Sequence, residues 1–227
     1  MDYYEAAVAD LASPETWCQG ARALARIGDP RAITPLVGAF NRAVEADKSC
    51  LLDALRALGA GERADQLATS ENLRQRAIAV RLMELFPDPG RLGPLTTIAL
   101  HDPDADLRRA AARTLSLQKR TPTWEAATIR MLAADDSAVR GEAIESLALQ
   151  DSRATERVLL DHLEQETDPS LVKKLRAFLA SRLFQRHLNT NGIFVKQICP
   201  PDSRAYLHPP WSSSPAAPML GTWSTRG

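Results

Sequence analysis

Apolar positions along this chain fall into columns 32 residues apart. Leu107, Val139 and Leu171 form one column; four residues on stand Ala111, Ala143 and Leu175, and four further stand Leu115, Leu147 and Leu179. A second set, Leu95, Ala127 and Leu159 with Ala99, Met131 and Leu163, keeps the same interval. A step of four places successive members on one face of an α-helix, and two such sets per period describe a repeat made of two helices. Repeats of this kind stack into a solenoid whose repeating residues encode the stack, while its activity lies in what the surface holds.

The helix starts are marked by a capping residue followed by proline: Ser13-Pro14, Asp29-Pro30, Asp88-Pro89, Asp102-Pro103 and Asp168-Pro169. The side-chain oxygen accepts an N–H of the first turn, and proline fits where its missing N–H is not needed. Ser70-Glu71 and Asp135-Asp136 mark two further starts. These signals predict helices over 3–12, 15–27, 31–45, 47–59, 62–69, 71–86, 91–100, 103–117, 123–133, 137–149, 153–165 and 169–184. The short connectors imply antiparallel neighbours.

Composition agrees with an all-α class: aromatic residues make up 5% of 227 residues while aliphatic residues and alanine are plentiful, which suits close helix packing and argues against a sandwich or a barrel. Lysine plus arginine equals aspartate plus glutamate, 28 of each, so no overall field draws the chain to nucleic acid or to an acidic membrane. Cys18, Cys50 and Cys199 are odd in number and far apart in sequence, which indicates neither a disulfide framework nor a thiolate metal site. With an N-terminus that lacks a signal-peptide pattern, a soluble, cytoplasmic protein is expected.

Three stretches carry a family resemblance. Asp102-Pro-Asp-Ala-Asp-Leu-Arg-Arg-Ala-Ala-Ala-Arg-Thr-Leu115, Asp135-Asp-Ser-Ala-Val-Arg-Gly-Glu-Ala-Ile-Glu-Ser-Leu147 and Ala23-Leu-Ala-Arg-Ile-Gly-Asp-Pro-Arg-Ala-Ile33 resemble HEAT repeats, in particular the short bacterial kind also found in phycobilisome lyase proteins. The resemblance covers roughly residues 15–182. It implies an armadillo-type, right-handed α-α superhelix with an N-terminal capping helix and about five repeats over 1–182. Arg81 stands where the repeat expects an apolar residue, and Lys173 sits one place off a column formed by Arg74, Arg108 and Arg140. From residue 183 to 227 the composition turns to proline and serine, and this stretch reads as a disordered or loosely docked tail.

The arginine column reads as a tie between repeats through acids of neighbouring turns. Positions opposite the apolar stripe are the candidate partner surface, which the resemblance assigns to the concave face. They nominate Arg22, Asp53, Arg56, Arg109, Arg113, Glu145 and Lys173, with Cys18 and small residues such as Gly141 on the same side, where another chain would approach closely. No catalytic, cofactor or metal residue is nominated. His101-Asp-Pro-Asp-Ala-Asp106 reads as a helix cap, and no His-x-x-x-His or His-Glu pair is present. Trp17 and Trp124, at helix starts, read as packing residues between repeats. The expected function is a non-catalytic scaffold for a partner protein or peptide, without cofactor. The resemblance adds a bilin lyase subunit or chromophore chaperone as an alternative, and a nucleic-acid-binding HEAT protein as a second.

Overall fold

The computed structural model describes residues 2–150 and 152–189, with side chains through 182. The described residues divide between two compact units at Arg176. The described residues form twelve α-helices and no strand: α1 Tyr3–Ala9, α2 Trp17–Ile27, α3 Ile33–Arg42, α4 Glu45–Ala57, α5 Ala60–Ala68, α6 Leu73–Leu85, α7 Leu92–His101, α8 Ala105–Ser116, α9 Pro122–Met131, α10 Ser137–Ala148, α11 Arg153–Leu163 and α12 Pro169–Asn189. The expected all-α solenoid is what the chain builds. The helix expected over 3–12 is α1 followed by a 3-10 turn at Asp10–Ala12, and α1 packs on α2 as the first member of a pair. Helix α12 runs to Asn189, past the predicted end near 184, because the Arg182–Asn189 stretch holds no proline or glycine to stop it. The proline- and serine-rich stretch beyond it lies outside the described residues. No helix among the described residues is long and apolar enough to cross a membrane.

The apolar columns form the core: Leu107, Ala111 and Leu115 of α8, Val139, Ala143 and Leu147 of α10, and Leu95, Ala99, Ala127, Met131 and Leu159 of the odd-numbered helices are all buried. Helix α5 places Ala60, Ala64 and Ala68 on one face, and these short side chains bring it close against α6. Close approach also explains Gly20. A Cβ there would lie 2.7 Å from the Ala7 carbonyl oxygen and 2.8 Å from Asp10 Cβ, so α1 sits on α2 only because this residue has no side chain.

A second column, of caps, sets where the even-numbered helices begin. Asn72, Asp104 and Asp136 each accept a backbone N–H of the turn they open, from Arg74, Leu107 and Ala138, and Asp168 does the same from Ser170. All four are spaced by 32. The predicted starts at Ser70-Glu71 and Asp102-Pro103 are therefore shifted by two residues. Asp102 instead ends α7, its backbone N–H bonding the Ile98 carbonyl.

Helix ends are closed by side chains from the following repeat. Trp17 Nε1 donates to the Leu11 carbonyl and Trp124 Nε1 to the Leu115 carbonyl, each at 2.8 Å, while both rings are buried. Gln118 Nε2 donates to the Met83 carbonyl at 3.2 Å. Gln150 is the counterpart of Gln118 one repeat later, and the counterpart of Met83 is Leu115. Trp124 already occupies the Leu115 carbonyl, and Gln150 Nε2 is buried without a hydrogen-bond partner among the described residues. The tryptophan has displaced the glutamine from its acceptor.

The stack is irregular at the second repeat. Helix α3 packs against α6 more than α4 does. Arg81 of α6 closes this joint: its Nε donates to Asn41 Oδ1 at 2.9 Å, and its guanidinium lies 5.4 Å from the Phe40 ring centre, with the Lys48 ammonium 5.8 Å from the same ring.

Candidate functional site

Two rows of charged side chains run along the even-numbered helices, and they differ in how they are held. The inner row lies four residues after each cap: Arg76, Arg108 and Arg140. Arg76 grips Asp102 through Nε at 2.6 Å and Nη2 at 3.1 Å. Arg108 reaches Asp136 at 3.1 Å, and Arg140 holds Glu166 at 2.9 and 2.8 Å. Each arginine also donates to two carbonyls of the loop before its own helix: Ser70 and Glu71, Asp102 and Pro103, or Ala134 and Asp135. One guanidinium thus joins three segments, and the expected tie between repeats is confirmed in kind. Its first member is corrected: Arg76 stands in the column, whereas Arg74, two residues earlier in the turn, is exposed.

The acceptors follow a rule. Two residues before the caps stand Asp102, Ala134 and Glu166. Where that position is acidic it takes the arginine; where it is Ala134, the cap Asp136 serves instead. Burial pulls the Asp102 and Asp136 carboxyls upward, but hydrogen bonds from Arg76 to Asp102, and from the Ala138 N–H and Arg108 to Asp136, outweigh it and leave both below the ordinary carboxylate range. Glu166 is held down to about 2, chiefly by Arg140, against the opposing effect of burial and with help from the Asp168 N–H and His162. Val172 occupies the next place in the column, so Arg140 is its last arginine.

The outer row faces solvent. Arg109 is 3.5 Å from Asp106 and 3.8 Å from Asp136, and Arg113 is 3.7 Å from Glu142. Glu145 of α10 pairs with Lys174 of α12. The nominated Arg109, Arg113 and Glu145 are thereby brought into one band over α8, α10 and α12, with Lys173 exposed beside Lys174. Asp53 and Arg56 pair with each other at 2.7 Å on α4, and Arg22 is exposed on α2 without a partner among the described residues; these three are not joined to the band.

Three expectations change. Gly141 is buried rather than open to a partner: a Cβ there would lie 3.3 Å from Leu171 Cδ2, so the close approach is made by α12 of the same chain. Arg81 belongs to the column of Arg113 and Glu145 and not to an apolar one; counting by 32 from Arg113 would have found it. Cys18 and Cys50 form a disulfide with Cα atoms 5.5 Å apart. Their separation of 32 residues is one repeat, which puts them face to face on α2 and α4, so distance along the chain misled. The cysteine argument for a reducing compartment falls with it.

Among the described residues no cluster of three His, Cys, Asp or Glu side chains is placed to hold a metal ion. The chemistry on offer in the band is exchange of the loosely held Arg109 and Arg113 ion pairs, beside the direct Glu145–Lys174 pair.

Residues 92–179, from α7 into α12, match the family model described as HEAT repeats. None of the curated proteins compared matches the chain. Among solved structures, the complex of CpcE and CpcF of phycocyanin lyase from Nostoc sp. PCC7120 is similar at 20% identity and a TM-score of 0.46, over 66% of this chain and 99% of that one. An engineered protein is similar at 20% identity and a TM-score of 0.43, over 79% and 98%.

Proposed function

We propose that the chain is a non-catalytic scaffold that holds a partner protein or peptide against the band on α8, α10 and α12. The supporting observation is the contrast between the rows. The ladder arginines are 12–24% exposed with contacts of 2.6–3.1 Å, whereas Arg109 and Arg113 are 51% and 73% exposed with carboxylates no nearer than 3.5 Å. Pairs this loose contribute little to folding, and their charges can exchange to a partner at small cost. Arg109, Arg113 and Lys173 are all basic, so the partner presents acidic side chains to them.

The test is a charge reversal, Arg109→Glu with Arg113→Glu, in the full chain. Proteins captured from the native organism by the wild type should be lost from the double variant, with affinity for a purified one of them falling at least about tenfold, and the melting temperature unchanged. Equal capture by both chains overturns the proposal. A visible-absorbance shift of an open-chain tetrapyrrole on mixing with the chain would overturn it in favour of the lyase alternative.

A further inference from the structure

Helices α9 and α11 meet at one end, where Thr155 Oγ1 donates to Glu125 Oε1 at 3.4 Å, and part toward the other around a cavity of about 570 Å3. The preceding odd-numbered pair, α7 and α9, packs directly. One cause of the gap is in the sequence: Ala133 and Ala134 line it, and Ala134 is the short residue standing where the flanking repeats carry Asp102 and Glu166.

The lining divides by character. Ile129, Leu132 and Val158 form an apolar wall. Behind it the Arg140–Glu166 pair, with His162 Nε2 3.1 Å from Glu166, is closed on itself, so Arg140 brings no free positive charge. Asp135 and Asp161 also line the cavity; both are exposed, and neither carboxylate has an ion pair or hydrogen bond among the described residues. It is an open cleft on the surface whose volume lies within the range of small-molecule sites, roughly 300–1,000 Å3, and its two exposed carboxylates give it a negative, solvent-screened local field.

We propose that this cavity binds a small organic cation with an apolar body, of the arylalkylammonium class. The ring lies against Ile129, Leu132 and Val158, and the ammonium sits between Asp135 and Asp161. The site lies between α9 and α11 and the loops that lead into α10 and α12, and it shares no residue with the nominated Arg109, Arg113, Glu145 and Lys173 of the band.

The probe is phenethylammonium, titrated into the full chain labelled at isoleucine, leucine and valine methyl groups and followed by NMR. Saturable shifts confined to Ile129, Leu132, Val158 and their neighbours are expected, with 2-phenylethanol, which lacks the charge, binding more weakly. Asp135→Asn and Asp161→Asn should each weaken binding about three- to fivefold, the range of one exposed charge pair, and Val158→Trp, which puts a bulky ring against the apolar wall where the ligand's ring would lie, should weaken it as well. No saturable shift at these methyls overturns the proposal. Equal binding of alcohol and ammonium, or binding that survives both Asn substitutions together, overturns it as well.

Discussion

Replacing Glu166 with alanine tests the ladder at its most buried rung. The carboxylate accepts from Arg140 Nε and Nη2, from the Thr167 and Asp168 N–H groups and has His162 Nε2 at 3.1 Å, while its side chain is fully buried and that of Arg140 is 13% exposed. Removing one member of a buried pair costs about 3–5 kcal/mol. Arg140 keeps its bonds to the Ala134 and Asp135 carbonyls, which places the expectation for Glu166→Ala near the low end, about 3 kcal/mol. Glu166→Gln preserves shape but removes the charge and turns one acceptor oxygen into an NH2 donor facing Arg140 or the Thr167 and Asp168 N–H groups, and should cost about 1–3 kcal/mol. The assay is urea unfolding at neutral pH, read as the change in midpoint at constant slope.

The same residue gives a pH signature. Its folded pKa of about 2 lies below its ordinary 4.5, so its contribution is fully present above 4.5 and is lost as pH falls toward 2. At about 1.36 kcal/mol per pKa unit the gap corresponds to roughly 3 kcal/mol, an upper limit before solvent screening. The difference between wild type and Glu166→Gln should therefore shrink progressively below pH 4.5. A cost under about 1 kcal/mol for Glu166→Ala, the size of a surface pair, or a difference independent of pH, would refute the ladder as a tie between repeats.

Three other outcomes follow from the packing. Gln150→Met removes a buried donor with no acceptor and should leave stability unchanged or raise it by up to about 1 kcal/mol in thermal unfolding, whereas Gln118→Met, which strips Met83 of its donor, should lower it. Gly20→Ala should destabilise by about 1–3 kcal/mol in the same assay, because its Cβ meets a backbone carbonyl that cannot move aside. Cys18→Ser with Cys50→Ser should lower stability by about 3–4 kcal/mol, the loop-closure value for a 32-residue separation, and thiol alkylation of the unreduced wild type under denaturing conditions should leave these two cysteines unmodified.

The helices and the core were legible because both rest on local rules. Leu107, Val139 and Leu171 recur at one interval, and a capping residue at a helix start acts within its own turn, so periodicity and capping placed all twelve helix starts within two residues and eleven of the twelve C-terminal ends within three. What escaped depended on which columns face each other. Asp102-Pro103 reads locally as a start, but the Arg76 guanidinium, supplied 26 residues earlier, claims that carboxylate, and Asp104 caps in its place. Gly141 looks open on a helical wheel and is covered only because α12 carries Leu171 across it. Cys18 and Cys50 look remote until the period of the repeat is applied to them. The outer band is visible in sequence as charge opposite the apolar stripe, yet which arginines are loosely held follows from distances that no single helix contains.

The common register of caps, arginines and glutamines also makes the chain divisible. Excising residues 105–136 would join Asp104 to Ser137, one cap in place of another, and bring Arg140 to the carbonyls of Asp102 and Pro103 that Arg108 now holds. Gln150 would arrive at the Met83 carbonyl in the place of Gln118, and the donor that Trp124 left without an acceptor would gain one. A repeat can be lost here without leaving an open seam, so length is a quantity this fold can vary in whole steps of 32 residues.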